Sequence, residues 1–280
     1  MQEKLKKALI LCLKYLVSAA ILALVLGPVL VTFFASIKTQ AHMASTSPIW
    51  FPPAGEITWA NYQKVLGAKL LVPAIRNTFT IMVVSIFFNV LLGSVTSYCL
   101  QRFQFRGRAF VMGCFYLGML VPTFVVEIAR FKVIQSFGLY NSLGAPIIIY
   151  VASDLMQLYL YMQYVSKIPV ALDESALIDG CSYFGIFYRI IFPLLMPATA
   201  TVVIIKMVNI INDMYVPYLY MPKTKLKTLT TFLMSYASAQ QGSWPTLAAS
   251  IMVVLVPALI LYTFFHRQIT EGLAAGATKE

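Results

Sequence analysis

Six stretches of this chain are apolar over at least about the 20 residues that a helix needs to cross a hydrocarbon core: 15–36, 78–100, 109–129, 143–165, 197–221 and 246–265. Each predicts a membrane span. The first is too long for the apolar region of a signal peptide, and no convincing small-x-small cleavage site follows Ser36, so it reads as a retained span. The connections carry their own patterns. The stretch 37–77 holds Ser47-Pro48, Trp50 and Pro52-Pro53, then Thr58 to Leu66. There Thr58 is the expected N-cap, and Trp59, Tyr62, Val65 and Leu66 fall on one helical face. That face suits either the headgroup region or contact with another protein, such as a receptor. Residues 130–142 read as a short amphipathic link ending in Gly138 and Asn141. Pro122, Pro217 and Pro257 interrupt spans, as hinges or as plain kinks. No linker or fixed-period repeat divides the chain, so 1–280 reads as a single transmembrane domain.

Composition agrees. Hydrophobic residues make up 60% and charged residues only 11%, against roughly 25% charged in a soluble domain. The formal charge of +11 does not signal nucleic acid, because the basic residues are spread over short membrane-flanking loops. Their placement orients the chain. Lys4, Lys6, Lys7 and Lys14 precede the first span, and Arg102, Arg106 and Arg108 crowd the turn after the second. With both on the cytoplasmic side, 166–196 and the C-terminus are cytoplasmic too. Cys12, Cys99, Cys114 and Cys181 are isolated and read as small buried hydrophobes, and His42 and His266 lie far apart, so no metal set is expected. HExxH, GxSxG and Walker A patterns are absent, down to the lack of a Gly-Lys dipeptide, which argues against a membrane enzyme and against ATP hydrolysis in this chain.

Ionisable groups inside a membrane are costly and tend to be paired or functional. Glu127, Asp154, Lys206 and Asp213 lie in the third, fourth and fifth spans. Lys206, Asn209 and Asp213 share one helix face with Asn212 beside it. This face either lines a wet path for a hydroxyl-rich solute or holds a structural ion pair of Lys206 with Asp154 or Glu127. A local Glu127–Arg130 pair competes for Glu127. Tyr150, Tyr159, Tyr161 and Tyr164 form a stripe fit for lining a cavity, for an aromatic belt or for packing.

The loop 166–196 is the most specific feature. Pro169 suits a first helical turn, Asp173 and Glu174 favour the positive end of a helix dipole, and Gly180 suits a left-handed C-terminal cap. Ser182 then caps a second helix through Phe184, Phe187, Tyr188 and Ile191, which Pro193 and Pro197 are expected to break. The resulting elbow offers an acidic side and apolar residues Ala176, Leu177, Phe184 and Phe187 to a partner groove.

Glu174, Ala176, Gly180, Ile190 and Pro193 also fall on the pattern Glu-Ala-Ala, three residues, Gly, nine residues, Ile-x-Leu-Pro, with Ser175 replacing an Ala and Phe192 the Leu. In this the chain resembles the permeases of ATP-binding-cassette importers, the binding-protein-dependent transport family, and in particular the smaller permease subunit of maltose-type carbohydrate importers. The stretch Thr58–Leu66, the Tyr-x-x-x-Arg-Phe-x-Phe-x-Gly run from Tyr98 to Gly107 and the tail from Gly272 to Lys279 are similar as well. At Ile211-Asn212-Asp213 the Trp often found before Asn in the family is missing. The resemblance implies an all-α, six-span type I importer permease of a bacterial inner membrane. It also implies an ATPase-coupling loop carried by Glu174, Ala176, Asp179, Gly180, Ile190 and Pro193, and a translocation path near Asp154, Lys206, Asn209, Asn212 and Asp213. The implied partners are a second permease, two copies of a cytoplasmic P-loop ATPase that hold ATP and Mg, and an extracytoplasmic sugar-binding protein. No cofactor is expected in this chain. The implied cargo is a sugar or oligosaccharide, with glycerol-phosphate esters as the alternative. A stand-alone secondary transporter is the remaining rival, and it would be expected to show more spans or internal repeats.

Overall fold

The computed structural model describes residues 2–152, 154–237 and 243–277. Among them the structure is helical, with no strand. Three helices are each long and apolar enough to cross a membrane, and three bent pairs qualify when both members are counted, giving up to six crossings. The first is α1 (Gln2–Ser36), followed by the short α2 (Gln40–Ser45) and α3 (Ala60–Leu66), and then by α4 (Leu71–Arg102). The bent pairs begin with α5 (Arg108–Leu120) and α6 (Thr123–Ser136), then α7 (Gly144–Val151) and α8 (Leu155–Lys167). After α9 (Ala171–Ile178), the stretch Tyr183–Leu194 comprises α10 (Tyr183–Ile186), a π turn (Phe187–Ile191) and α11 (Phe192–Leu194), and it pairs with α12 (Met196–Asn212). The chain continues through α13 (Tyr215–Tyr220) and α14 (Leu229–Ala237) to α15 (Trp244–Ala277). The end of the tail motif, beyond Ala277, lies outside the described residues.

Several expected boundaries move, each for a local reason. The stretch 109–129 is not one helix. It bends by 113° ahead of α6, because Pro122 forces Val121 into extended backbone (φ −83°, ψ 119°). The amphipathic link expected at 130–142 is therefore mostly the second half of α6. What remains is a turn with left-handed backbone at Gly138 and Asn141. The fourth crossing breaks by 45°, with Asp154 extended and capping α8 through its bond from Gln157 N at 2.8 Å. The fifth does not run to residue 221. It ends at Asn212, where the Asp213 carboxylate takes the N–H groups of Tyr215 (2.8 Å) and Val216 (3.2 Å) and starts α13. In contrast, α15 runs on through Pro257.

The chain divides into two compact units. One comprises residues up to Leu71 with Phe232–Leu259. In it Asn61 Nδ2 donates to the carbonyls of Ser36 (2.9 Å) and Lys38 (2.8 Å), satisfying the open end of α1. Tyr62 bonds the Ser36 hydroxyl at 2.7 Å, and Val65 is buried, while Trp59 and Leu66 stay exposed. The expected face of α3 is thus split between packing and surface, and the cap position is Trp59, with Thr58 Oγ1 accepting from Ala60 N one residue early. Lys38 is fully buried, donates to Ser47 O at 2.8 Å, and is pushed by burial below its ordinary pKa.

The other unit comprises Val72–Thr231 with Ile260–Glu280. Its core gathers Ile81, Ile86 and Val90 of α4 with Tyr161, Ile186, Ile191 and Val202. The side chain of Asn89 donates to three successive carbonyls, Tyr150, Val151 and Ala152, at 3.0–3.3 Å, so α4 supplies the cap that α7 lacks. Gln157 of α8 returns a bond to Asn89 O at 2.9 Å. Gly93 lets Gln157 lie directly on the α4 backbone, and a Cβ there would collide with its amide. Gly93→Val is expected to destabilise the protein by about 1–3 kcal/mol, as overpacking does, read as a lower melting temperature in detergent. Of the cysteines, Cys12 and Cys114 are exposed and Cys99 and Cys181 half-buried. Cys181 packs at the edge of the core, whereas Cys12 and Cys114 lie exposed on membrane helices, where a thiol is equally at ease against lipid.

Candidate functional site

The elbow is built by its own sequence. Asp173 and Glu174 occupy the first turn of α9. At its other end Gly180 adopts φ +82°, Gly180 N bonds Leu177 O at 3.0 Å and Cys181 N bonds Ala176 O at 2.9 Å. This is the paired closure of a Schellman motif. Ser182 then caps α10 by accepting from Gly185 N at 3.2 Å. Pro193 does not break the second limb as expected. The limb widens into the π turn Phe187–Ile191, with Phe192 N bonded to Phe187 O. A π turn opens the backbone just before the proline ring, relieving the clash that a tighter helix would make. The bend, of 74°, comes at Leu195 instead, with Pro197 opening α12.

The surface of the elbow is mixed. Glu174 and Asp179 are exposed, Ile178 is 86% and Phe184 75% exposed, and Tyr183 and Tyr188 point outward. Ala176 and Phe187, expected to face a partner, are buried in the chain's own core. Ile190 packs against that core from its edge, and Pro193 is exposed. Asp173 is also withdrawn. It is buried, accepts from the Tyr98 hydroxyl at 2.7 Å, and lies 3.2 Å from Arg102 Nη2. Reading the sequence alone missed this pairing, although the Tyr-x-x-x-Arg spacing places Tyr98 and Arg102 on one face of α4.

The polar residues of the fourth and fifth crossings do come together. Lys206 Nζ pairs with Asp154 Oδ2 at 2.5 Å, while Glu127 is taken by Arg130 (3.0 Å) and Tyr220 (2.6 Å). Asp213 accepts from the Tyr150 hydroxyl at 2.8 Å and caps α13, so its carboxylate is occupied. Asn209 and Asn212 remain exposed. The tyrosine stripe divides. Tyr161 is buried, with its hydroxyl donating to Thr199 at 3.1 Å, and Lys167 lies over the Tyr164 ring. Tyr159 opens onto a cavity of about 550 Å³ that Met112, Met156 and Met162 also line. Among the described residues no cluster of His, Cys, Asp or Glu is arranged to hold a metal.

Residues 89–271 match a family described as the inner membrane component of binding-protein-dependent transport systems. The chain belongs to that family. As such a permease it is similar, nearly end to end, to curated relatives. It is 29% identical to the galactooligosaccharides transport system permease protein of Bacillus subtilis, over 99% of this chain and 98% of that one. It is 26% identical to the sulfoquinovosyl glycerol transport system permease protein of Agrobacterium fabrum, over 95% and 93%. To the diacetylchitobiose uptake system permease protein of Streptomyces coelicolor it is 27% identical, over 90% and 91%. Among solved structures, a chain of a bacterial transporter importing the acidic polysaccharide alginate superposes with a TM-score of 0.79 at 19% identity, covering 91% of this chain and 95% of that one. That likeness carries the fold of the permease, all-helical and multi-pass.

Proposed function

We propose that this permease is one half of the membrane pathway of an ATP-driven importer for a sugar or oligosaccharide. In this proposal a second permease completes the path, two copies of a P-loop ATPase bind ATP and Mg and dock on residues 171–193, and an extracytoplasmic binding protein delivers the solute. Both termini and the elbow face the cytoplasm. The observation that carries the docking is the elbow surface, where Ile178, Phe184 and Tyr183 stand exposed beside Glu174 and Asp179 on a helix–turn–helix closed at Gly180. Helix-in-groove recognition needs apolar anchors with a charged rim on a rigid backbone, and two exposed carboxylates are costly in a bilayer interior. The relatives' sugar cargoes support the solute class. So does the balance of charge, since Lys206 is already neutralised by Asp154. The free groups on α12 are the amides Asn209 and Asn212, which suit hydroxyls better than a phosphate ester.

The test is reconstitution of the tagged chain with the proteins that purify with it. ATP-dependent uptake of an oligosaccharide is expected, with Glu174→Lys lowering ATPase recovery. Uptake driven by a proton or sodium gradient with no ATPase present would overturn the proposal in favour of a secondary transporter.

A further inference from the structure

Both limbs of the elbow converge on the last turn of α4. Asp173, in the first turn of α9, is reached by the Tyr98 hydroxyl at 2.7 Å and by Arg102 at 3.2 Å, and Arg102 Nη2 also donates to Ile168 O at 2.7 Å, just before α9. The second limb arrives through rings. Phe187 lies 5.5 Å from Tyr98, Phe103 stands edge-on to Tyr98 at 5.7 Å, and Tyr183 stands edge-on to Phe103 at 5.1 Å. Each charge sits where its own helix end favours it, Arg102 at the C-terminus of α4 and Asp173 at the N-terminus of α9. Tyr98 and Asp173 are buried, and Arg102 and Asp173 side chains are each 9% exposed. None of the three is therefore placed to meet an ATPase directly.

The polar network is also incomplete. Arg102 Nε has no hydrogen-bond partner, and Asp173 Oδ2 has none of good geometry despite its nearness to Arg102. The Tyr98 hydroxyl supplies the shortest bond to the carboxylate, at 2.7 Å against 3.2 Å for Arg102. A hydrogen bond to a buried charge is among the stronger single contacts available, and removing one partner leaves the other desolvated and unsatisfied.

We infer that Tyr98, Arg102 and Asp173 form the joint through which displacement of the elbow is passed to α4, so that they are positioning residues for the coupling of ATP hydrolysis to transport. This rests on the elbow being the ATPase dock. If α9 could pivot about Tyr98, nucleotide-driven movement would be absorbed at the joint and hydrolysis would proceed without moving solute.

The experiment uses the complete transporter in proteoliposomes and reads ATP hydrolysed per solute imported. Tyr98→Phe keeps the ring and its stacking but deletes the bond to Asp173. The ratio is expected to rise about tenfold, the scale of one charged hydrogen bond, at near-normal yield of assembled complex. Tyr161→Phe, which deletes an equally buried hydroxyl bonded to Thr199, is expected to leave the ratio unchanged. Should Tyr98→Phe fail to assemble, Asp173→Asn removes the charge while keeping the shape, with the same rise expected. An unchanged ratio in assembled Tyr98→Phe or Asp173→Asn complexes overturns the joint, as does a fall in yield alone. A cysteine replacing Ser182 in an otherwise native chain separates this from the docking itself. Its cross-link to the ATPase with an unchanged Tyr98→Phe ratio defeats only the joint, whereas no cross-link defeats the docking and the joint with it.

Discussion

Gly180→Val is expected to abolish ATP-driven uptake while the chain still inserts. The backbone at Gly180 has φ +82°, and a Cβ built there would meet nothing within 4 Å. The penalty is therefore conformational alone, about 1–2 kcal/mol for an ordinary side chain in the left-handed region and more for a β-branched one. The chain can escape it only by giving up the bonds that close α9, Cys181 N to Ala176 O and Gly180 N to Leu177 O. Losing that closure changes the angle between the limbs and scatters Ile178 and Phe184, which the proposed dock needs together. Spans far from the turn are untouched, so insertion survives. Because strain rather than space is the cause, uptake and ATPase recovery should fall in the order Gly, Asn, Ala, Val, with Asn the best replacement in this conformation. Normal transport by the valine variant would remove the elbow from the coupling mechanism.

The second large effect concerns Lys206. Lys206→Met leaves Asp154 without its counter-ion at the break of the fourth crossing. A fully buried pair would lose 3–5 kcal/mol on such a change. Asp154 is 54% and Lys206 14% exposed, so water screens part of this and about 1–3 kcal/mol is expected. The single variant should melt earlier in detergent and transport poorly. Lys206→Met with Asp154→Asn should recover most of both losses, because asparagine still caps α8 and no bare charge remains. Recovered assembly with transport still absent would instead put Lys206 or Asp154 in contact with the solute. The same pair of measurements separates the two roles that the sequence left open.

What could be read from the sequence was whatever local chemistry dictates. The crossings announce themselves by length and apolarity, and the turn at Gly180 with its Ser182 cap needs only neighbouring residues. The breaks were less legible. Pro122 was visible, but how far the helix turns there depends on where α6 packs. Between Val151 and Leu155 no glycine or proline marks the interruption, and it is the amide of Asn89, some sixty positions earlier, that satisfies the freed carbonyls. Asp173 misled for the same reason. A carboxylate in a polar loop looks available, and only the folded chain brings Tyr98 and Arg102 to it.

The split fourth crossing also constrains how the protein is made. Charged groups at the centre of a translocating helix cost about 2.5–3.5 kcal/mol each on insertion scales. Asp154 stands at the break of the fourth crossing, where a charge needs a partner. The carbonyls of Tyr150, Val151 and Ala152 just before the break bond Asn89, which is synthesised earlier, and the Asp154 carboxylate pairs with Lys206, which is synthesised later. Partners from earlier and later in the chain thus complete this crossing, and a chain truncated before the fifth crossing is expected to leave Asp154 without its counter-ion.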